Sequence, residues 1–222
     1  MKINFKSISI AYFILLVLEI WLSENQIKLG IYLTKPLLMP FLMFLGMRHQ
    51  LKNKILYLAL FFSFLGDVFL MFDKEIFFLL GLGSFLLAQL SFIKLFGLHK
   101  KLKIIPSLLF ATYSVSYISI LKPALPNGML IPVVLYCISL TLMGISALNR
   151  NILSKGYFAV LIGAILFIIS DSIIAYTKFL NPIAFSSFWV MSTYGIAQWL
   201  IVKGWLDYEL DQELKSTKMM IF

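Results

Sequence analysis

FFSFLGDVFLMF (61–72) and LFIISDSIIAYTKF (166–179) decide how this chain is read. Each is a run long and apolar enough to cross most of a bilayer, and each carries one aspartate, Asp67 or Asp171, well inside it. A carboxylate within a membrane span costs several kcal/mol unless it is paired, hydrated or protonated, so it is retained mainly where something uses it. The two acids are therefore the lead to both fold and function.

Working outward, 61% of the residues are hydrophobic, 13% are charged and the mean hydropathy is +0.94. Soluble domains are roughly 45–50% apolar and about 25% charged, so the chain is a polytopic membrane protein. Runs of the length that spans a ~30 Å hydrocarbon core at ~1.5 Å per residue predict an all-α fold of about eight transmembrane helices. They fall near 5–23, 31–47, 55–72, 76–98, 104–121, 129–148, 156–178 and 186–206. Loops are short, so residues 1–206 read as a single transmembrane domain. Residues 207–222 read as a short cytoplasmic tail, mixed in charge and helical at the surface.

The N-terminal run lacks a small-residue cleavage site and reads as an uncleaved first span. Basic residues set the orientation. With the N-terminus inside, Lys2, Lys6, Arg48, Lys52, Lys54, Lys100, Lys101, Lys103, Arg150, Lys155, Lys203, Lys215 and Lys218 are cytoplasmic. Only Lys28, Lys74, Lys122 and Lys178 face the other side, and Lys35 and Lys94 lie within spans. Both termini are thus expected in the cytoplasm, in a bacterial inner membrane. The net charge of +9 follows this alternation rather than one basic patch, which argues against nucleic-acid binding. The single Cys137 cannot form an internal disulfide, and His49 and His99 stand apart in loops. No metal or soluble cofactor is expected.

The acids recur in a pattern. Gly66-Asp67 is followed in the next span by Ala88-Gln89, and Ser170-Asp171 by Ala197-Gln198. Lys35-Pro36 and Lys122-Pro123 are a weaker match. Elements four spans apart run the same way, so the pattern suggests two parallel four-helix repeats. Helical spacing places Ser63 one turn from Asp67, Phe167 one turn from Asp171, and Tyr194 one turn from Gln198. Asp67 and Asp171 lie toward the outer half of the bilayer, level with Lys35 at the start of the second span. One cavity shared by Asp67, Asp171, Lys35, Ser63, Gln89, Tyr194 and Gln198 is the expectation. The alternative is a set of interhelical hydrogen bonds of about 0.6–2 kcal/mol each that only hold the bundle together. Glu19, near the outer end of the first span, is read as snorkelling to water. Pro36 and Pro40 are expected to kink the second span.

TKPLLMPFLM, FSFLGDVFLMF, GLGSFLLAQLSF, GAILFIISDSIIAYTKF and STYGIAQWLIVKG, in this order, resemble the YhhN-like membrane proteins, the lysoplasmalogenase family. The resemblance runs from about residue 31 to 204. It implies a membrane-embedded hydrolase that cleaves the vinyl ether of lysoplasmalogens to a fatty aldehyde and glycerophospho-ethanolamine or -choline. The implied polar positions fall on Lys35, Asp67, Asp171, Tyr194 and Gln198. The chain departs from the pattern at Ala88-Gln89 and Phe92, where the resemblance implies Ala-His and a tyrosine three residues on.

The residues suit that chemistry in their own right. Vinyl ether hydrolysis begins with slow protonation of the terminal alkene carbon, and water then captures the oxocarbenium ion. Two carboxylates in unlike environments can divide the work, one protonating and the other stabilising the cation and orienting water. Lys35 suits a substrate phosphate near the interface, and Gln89, Tyr194, Gln198 and Ser63 suit hydrogen bonds to glycerol or water. The rival reading is a proton-coupled membrane carrier that uses the paired aspartates as a relay. The short loops and the lack of paired Gly/Pro-interrupted spans weigh against it. A scaffold with structural polar contacts is the third reading.

Overall fold

The computed structural model describes residues 4–97 and 103–219, all helix and connecting turns, with no strand among them. Lys2, His99, Lys100 and Lys101 lie outside the described residues. Among the described residues, nine α-helices follow one another: α1 (Phe5–Glu24), α2 (Lys28–Thr34), α3 (Leu38–Arg48), α4 (Lys54–Phe69), α5 (Glu75–Phe96), α6 (Ile104–Leu121), α7 (Leu130–Asn149), α8 (Tyr157–Phe179) and α9 (Ser186–Met219). Because α2 and α3 form one broken rod, the chain makes eight rods at the expected positions. Six rods among the described residues are long and apolar enough to cross a membrane. Of the other two, α4 is only 16 residues long. In α9, Tyr194, Gln198 and Lys203 dilute the apolar run.

Helix is the answer a bilayer enforces, since every backbone N–H and C=O must be satisfied within the segment. The ends are set locally. Asn53 caps α4 by accepting the Ile55 amide at 2.9 Å. Lys-Pro starts a 3₁₀ turn twice, at Lys35–Leu37 and at Lys122–Ala124, where proline removes an amide donor. Pro36 thus breaks the second rod as expected, whereas Pro40 sits in the first turn of α3 and is accommodated there.

Two helix pairs dominate the packing, α4 with α5 and α8 with α9. Both depend on small residues. A Cβ at Gly66 would come within 2.5 Å of the Phe85 ring of α5. Gly156 opens α8 with a positive φ of 73°, and a Cβ there would fall 1.9 Å from the Gly204 carbonyl oxygen of α9. Ser170, the counterpart of Gly66, donates to the Val190 carbonyl of α9 at 3.1 Å. In each pair the small residue before the aspartate faces the following helix. Helix α5 also packs on α7, α1 lies against α3 and α9, and α6 rests on α7 and α8 with little of its surface covered.

Beyond residue 206, α9 continues without a break and docks on the bundle end. Glu209 accepts the Lys52 and Asn53 amides at 2.8 and 3.1 Å, Lys52 pairs with Glu213, and Lys155 and Lys215 pair with Asp211. At the same end the Arg150 guanidinium lies over Trp205 and Tyr208, 4.9 and 5.2 Å from the ring centroids.

Candidate active site

Asp67 projects from α4 and Asp171 from α8, 3% and 7% exposed. Each is held by a tyrosine from another helix. Tyr194 of α9 donates to Asp67 Oδ2 at 2.8 Å, and Tyr136 of α7 donates to Asp171 Oδ2 at 2.5 Å. Gln89 of α5 adds a longer bond from Nε2 to Asp171 Oδ2 at 3.4 Å. Its Oε1 accepts from Ser139, whose hydroxyl also reaches the Tyr136 carbonyl. Each acid therefore takes a hydrogen bond from a helix distant in sequence: Asp67 from α9 and Asp171 from α5. Both donors to Asp171 converge on Oδ2, which leaves Oδ1 without a hydrogen bond among the described residues.

An aromatic cluster joins the two sites. The Tyr194 ring meets Phe85 and Phe167 edge-on, with centroids 5.9 and 5.7 Å away. Phe167 lies one turn before Asp171 on α8.

The surroundings of the two acids differ. Asp171 lies in the wall of an apolar cavity enclosing about 780 Å³ of empty space, its open mouth included, between α5, α6, α7 and α8. Phe85, Phe110, Tyr117, Leu140 and Ile168 supply apolar wall, and Tyr136 and Cys137 flank the acid. Asp67 lines neither this cavity nor the groove beside it. That groove encloses about 950 Å³, open solvent included, and is lined by Ser23, Lys35, Asp73, Thr177, Lys178, Ser186 and Ser187 among others. Leu70, Phe78 and Ile174 wall both spaces, so the two adjoin.

The polar residues singled out in the sequence thus fall into distinct places. Lys35 lines the groove and Asp171 the cavity. Gln89 and Tyr194 each contact one of the acids. Gln198 donates from Nε2 to Ser63 Oγ at 3.0 Å, both fully buried, and its Oε1 has no partner among the described residues.

Glu19 corrects its sequence reading. Instead of snorkelling, it is fully buried: Oε1 accepts from Ser23 at 2.7 Å and Oε2 has no partner among the described residues. The cause is α2, which folds back along α1 so closely that a Cβ at Gly30 would lie 2.6 Å from Leu22. Nearby, Tyr12 of α1 donates to the Gly195 carbonyl at 2.9 Å, next to Tyr194. Tyr136 and Ser139 are also site residues missed in the sequence. Their only signal there was their i, i+3 spacing on one face of the sixth span.

The sequence profile of the YhhN family matches residues 30–205, from the short helix α2 to the end of the membrane part of α9. The chain belongs to the YhhN family. Two curated relatives are the human protein named lysoplasmalogenase TMEM86A and the mouse protein named lysoplasmalogenase TMEM86B. The first is 31% identical over 151 residues, covering 66% of this chain and 62% of the relative. The second is 34% identical over 146 residues, covering 65% and 60%. The matched stretch therefore spans about three-fifths of these relatives' own length. No solved structure matches the chain.

Proposed function

We propose that this YhhN-family protein hydrolyses the vinyl ether bond of lysoplasmalogens within the membrane. The observation that carries the reading is the cavity with one carboxylate in its wall, adjoining a groove that carries two lysines. An alkenyl lysophospholipid has the matching form, with one long apolar chain, a reactive vinyl ether at its polar end and a phosphate beyond. The names of the curated relatives agree with this substrate.

The chemistry follows from the placement. Asp171 Oδ1 delivers a proton to the alkene carbon β to the ether oxygen, while Tyr136 and Gln89 hold Oδ2. The carboxylate left behind lies beside the oxocarbenium ion it has created, and Asp67, when ionised, adds a second negative charge to the field it meets. Water adds to the cationic carbon, and the hemiacetal collapses. The sum is R–CH=CH–O–R′ plus water to R–CH₂–CHO plus HO–R′, with no redox partner. In this arrangement Tyr136, Tyr194 and Gln89 are positioning residues, and Gln198 with Ser63 secures α9 to α4. With both termini cytoplasmic, the groove opens on the outer face of a bacterial inner membrane.

Isotopes test the route. Hydrolysis in D₂O places one deuterium on C2 of the aldehyde and none elsewhere, and in labelled water the glycerol oxygen stays unlabelled. Label in the glycerol hydroxyl, or an aldehyde without deuterium, would exclude protonation at carbon.

A further inference from the structure

Three charged side chains meet in the groove from three separate parts of the chain: Lys35 at the 3₁₀ break of the second rod, Asp73 after α4, and Lys178 in the last turn of α8. Among the described residues, none of the three forms an ion pair within 4 Å. Lys178 is instead poised over the Phe78 ring, its Nζ 5.2 Å from the centroid, and Phe78 walls both groove and cavity. Two cations and one anion thus stand at the polar end of an apolar cavity. Mutual pairing would have been the default for flexible surface charges, and it is absent.

We infer that this groove is a subsite for a zwitterionic headgroup, in which Lys35 and Lys178 take the phosphate and Asp73 takes the ammonium of the amine. The inference rests on the vinyl-ether reading above and extends it to specificity. The two ammonium groups act as point charges that follow a mobile phosphate. Asp73 repels a bare phosphate monoester and attracts a phosphoethanolamine or phosphocholine, so it discriminates by repulsion as well as by attraction. Hence the groove selects amine-bearing lysophospholipids over the headgroup-free alkenylglycerol and over the bare phosphate.

The test compares three vinyl-ether substrates, with phosphoethanolamine, with phosphate alone and with no headgroup, on parent, Asp73→Asn and Lys178→Gln. Binding of the saturated-ether lysophosphoethanolamine and its bare-phosphate counterpart, neither of which can be hydrolysed this way, is titrated in parallel. For exposed charge pairs the expected effects are roughly two- to tenfold. Asp73→Asn narrows the preference for the amine over the bare phosphate by that factor, in KM and in analogue Kd. Lys178→Gln weakens both phosphate-bearing ligands relative to the headgroup-free one, with kcat on the amine substrate retained. Lys74→Gln, outside the groove, leaves all ratios unchanged. Unchanged ratios in both groove variants would overturn the inference. If the parent releases no aldehyde, the activity reading fails, and the analogue titrations still decide whether the groove reads a headgroup.

Discussion

Replacing Tyr136 by Phe removes one oxygen from the site and little else. The ring remains as cavity wall, but Asp171 Oδ2 loses its 2.5 Å donor and keeps only the Gln89 amide at 3.4 Å. Both groups are buried, so no bulk water replaces the bond. A hydrogen bond to a charged group is worth about 1.5–3 kcal/mol. If it acts chiefly in the transition state, when Asp171 has surrendered its proton, kcat falls roughly 10- to 150-fold, at ~1.4 kcal/mol per tenfold. Because Tyr136 acts through Asp171, KM stays close to the parent value. The assay is aldehyde release followed through a coupled NADH-dependent dehydrogenase, on protein that elutes as the same monodisperse species as the parent. A well-folded Tyr136→Phe with parental kcat would refute the assignment of Asp171 as the proton donor.

Three further outcomes follow from particular contacts. Gly156→Ala forces a Cβ toward the Gly204 carbonyl oxygen at a positive φ; it should lower the detergent-solution Tm markedly, with a cost of roughly 2–4 kcal/mol, whereas the exposed Leu153→Ala should leave Tm unchanged. Gly66→Val displaces the Phe85 ring from α4 and should reduce both stability, by about 1–3 kcal/mol, and activity, since Phe85 also walls the cavity; parental values for both would contradict the packing described. The Asp211 carboxyl is held below the usual carboxylate range by its hydrogen bond from Lys215, with Lys155 assisting. A depressed carboxylate contributes stability above its unfolded value, near pH 3.9, and loses it as pH falls through the folded one. Proteolysis of the segment after 206 should therefore quicken below about pH 4, and Asp211→Asn should remove that dependence.

The rods were legible because a bilayer turns length and hydropathy into structure almost directly. The acids stood out for the same reason, whereas the packing role of the small residue before each, which faces the following helix, became visible only in the structure. What the sequence did not show was the asymmetry between the acids. Asp67 and Asp171 occupy matching positions in their dipeptides, yet only Asp171 borders the cavity, because that depends on where α6 and α7 lie. Tyr136 carries no acid or motif of its own and becomes visible only when α7 is placed against α8. Gln198 looks like a substrate contact by spacing alone, but its partner is Ser63 on a helix far away in sequence. Glu19 was misread because burial by α2 depends on a fold-back at residues 25–27 that hydropathy does not report.

The most direct measurement is aldehyde release from a vinyl-ether lysophosphoethanolamine by the detergent-purified protein, beside Asp171→Asn and Asp67→Asn variants of equal monodispersity. The account predicts release by the parent, near-complete loss in Asp171→Asn and a smaller but clear loss in Asp67→Asn. No release by a well-folded parent, or full activity in Asp171→Asn, would contradict it and bring the proton-coupled carrier forward.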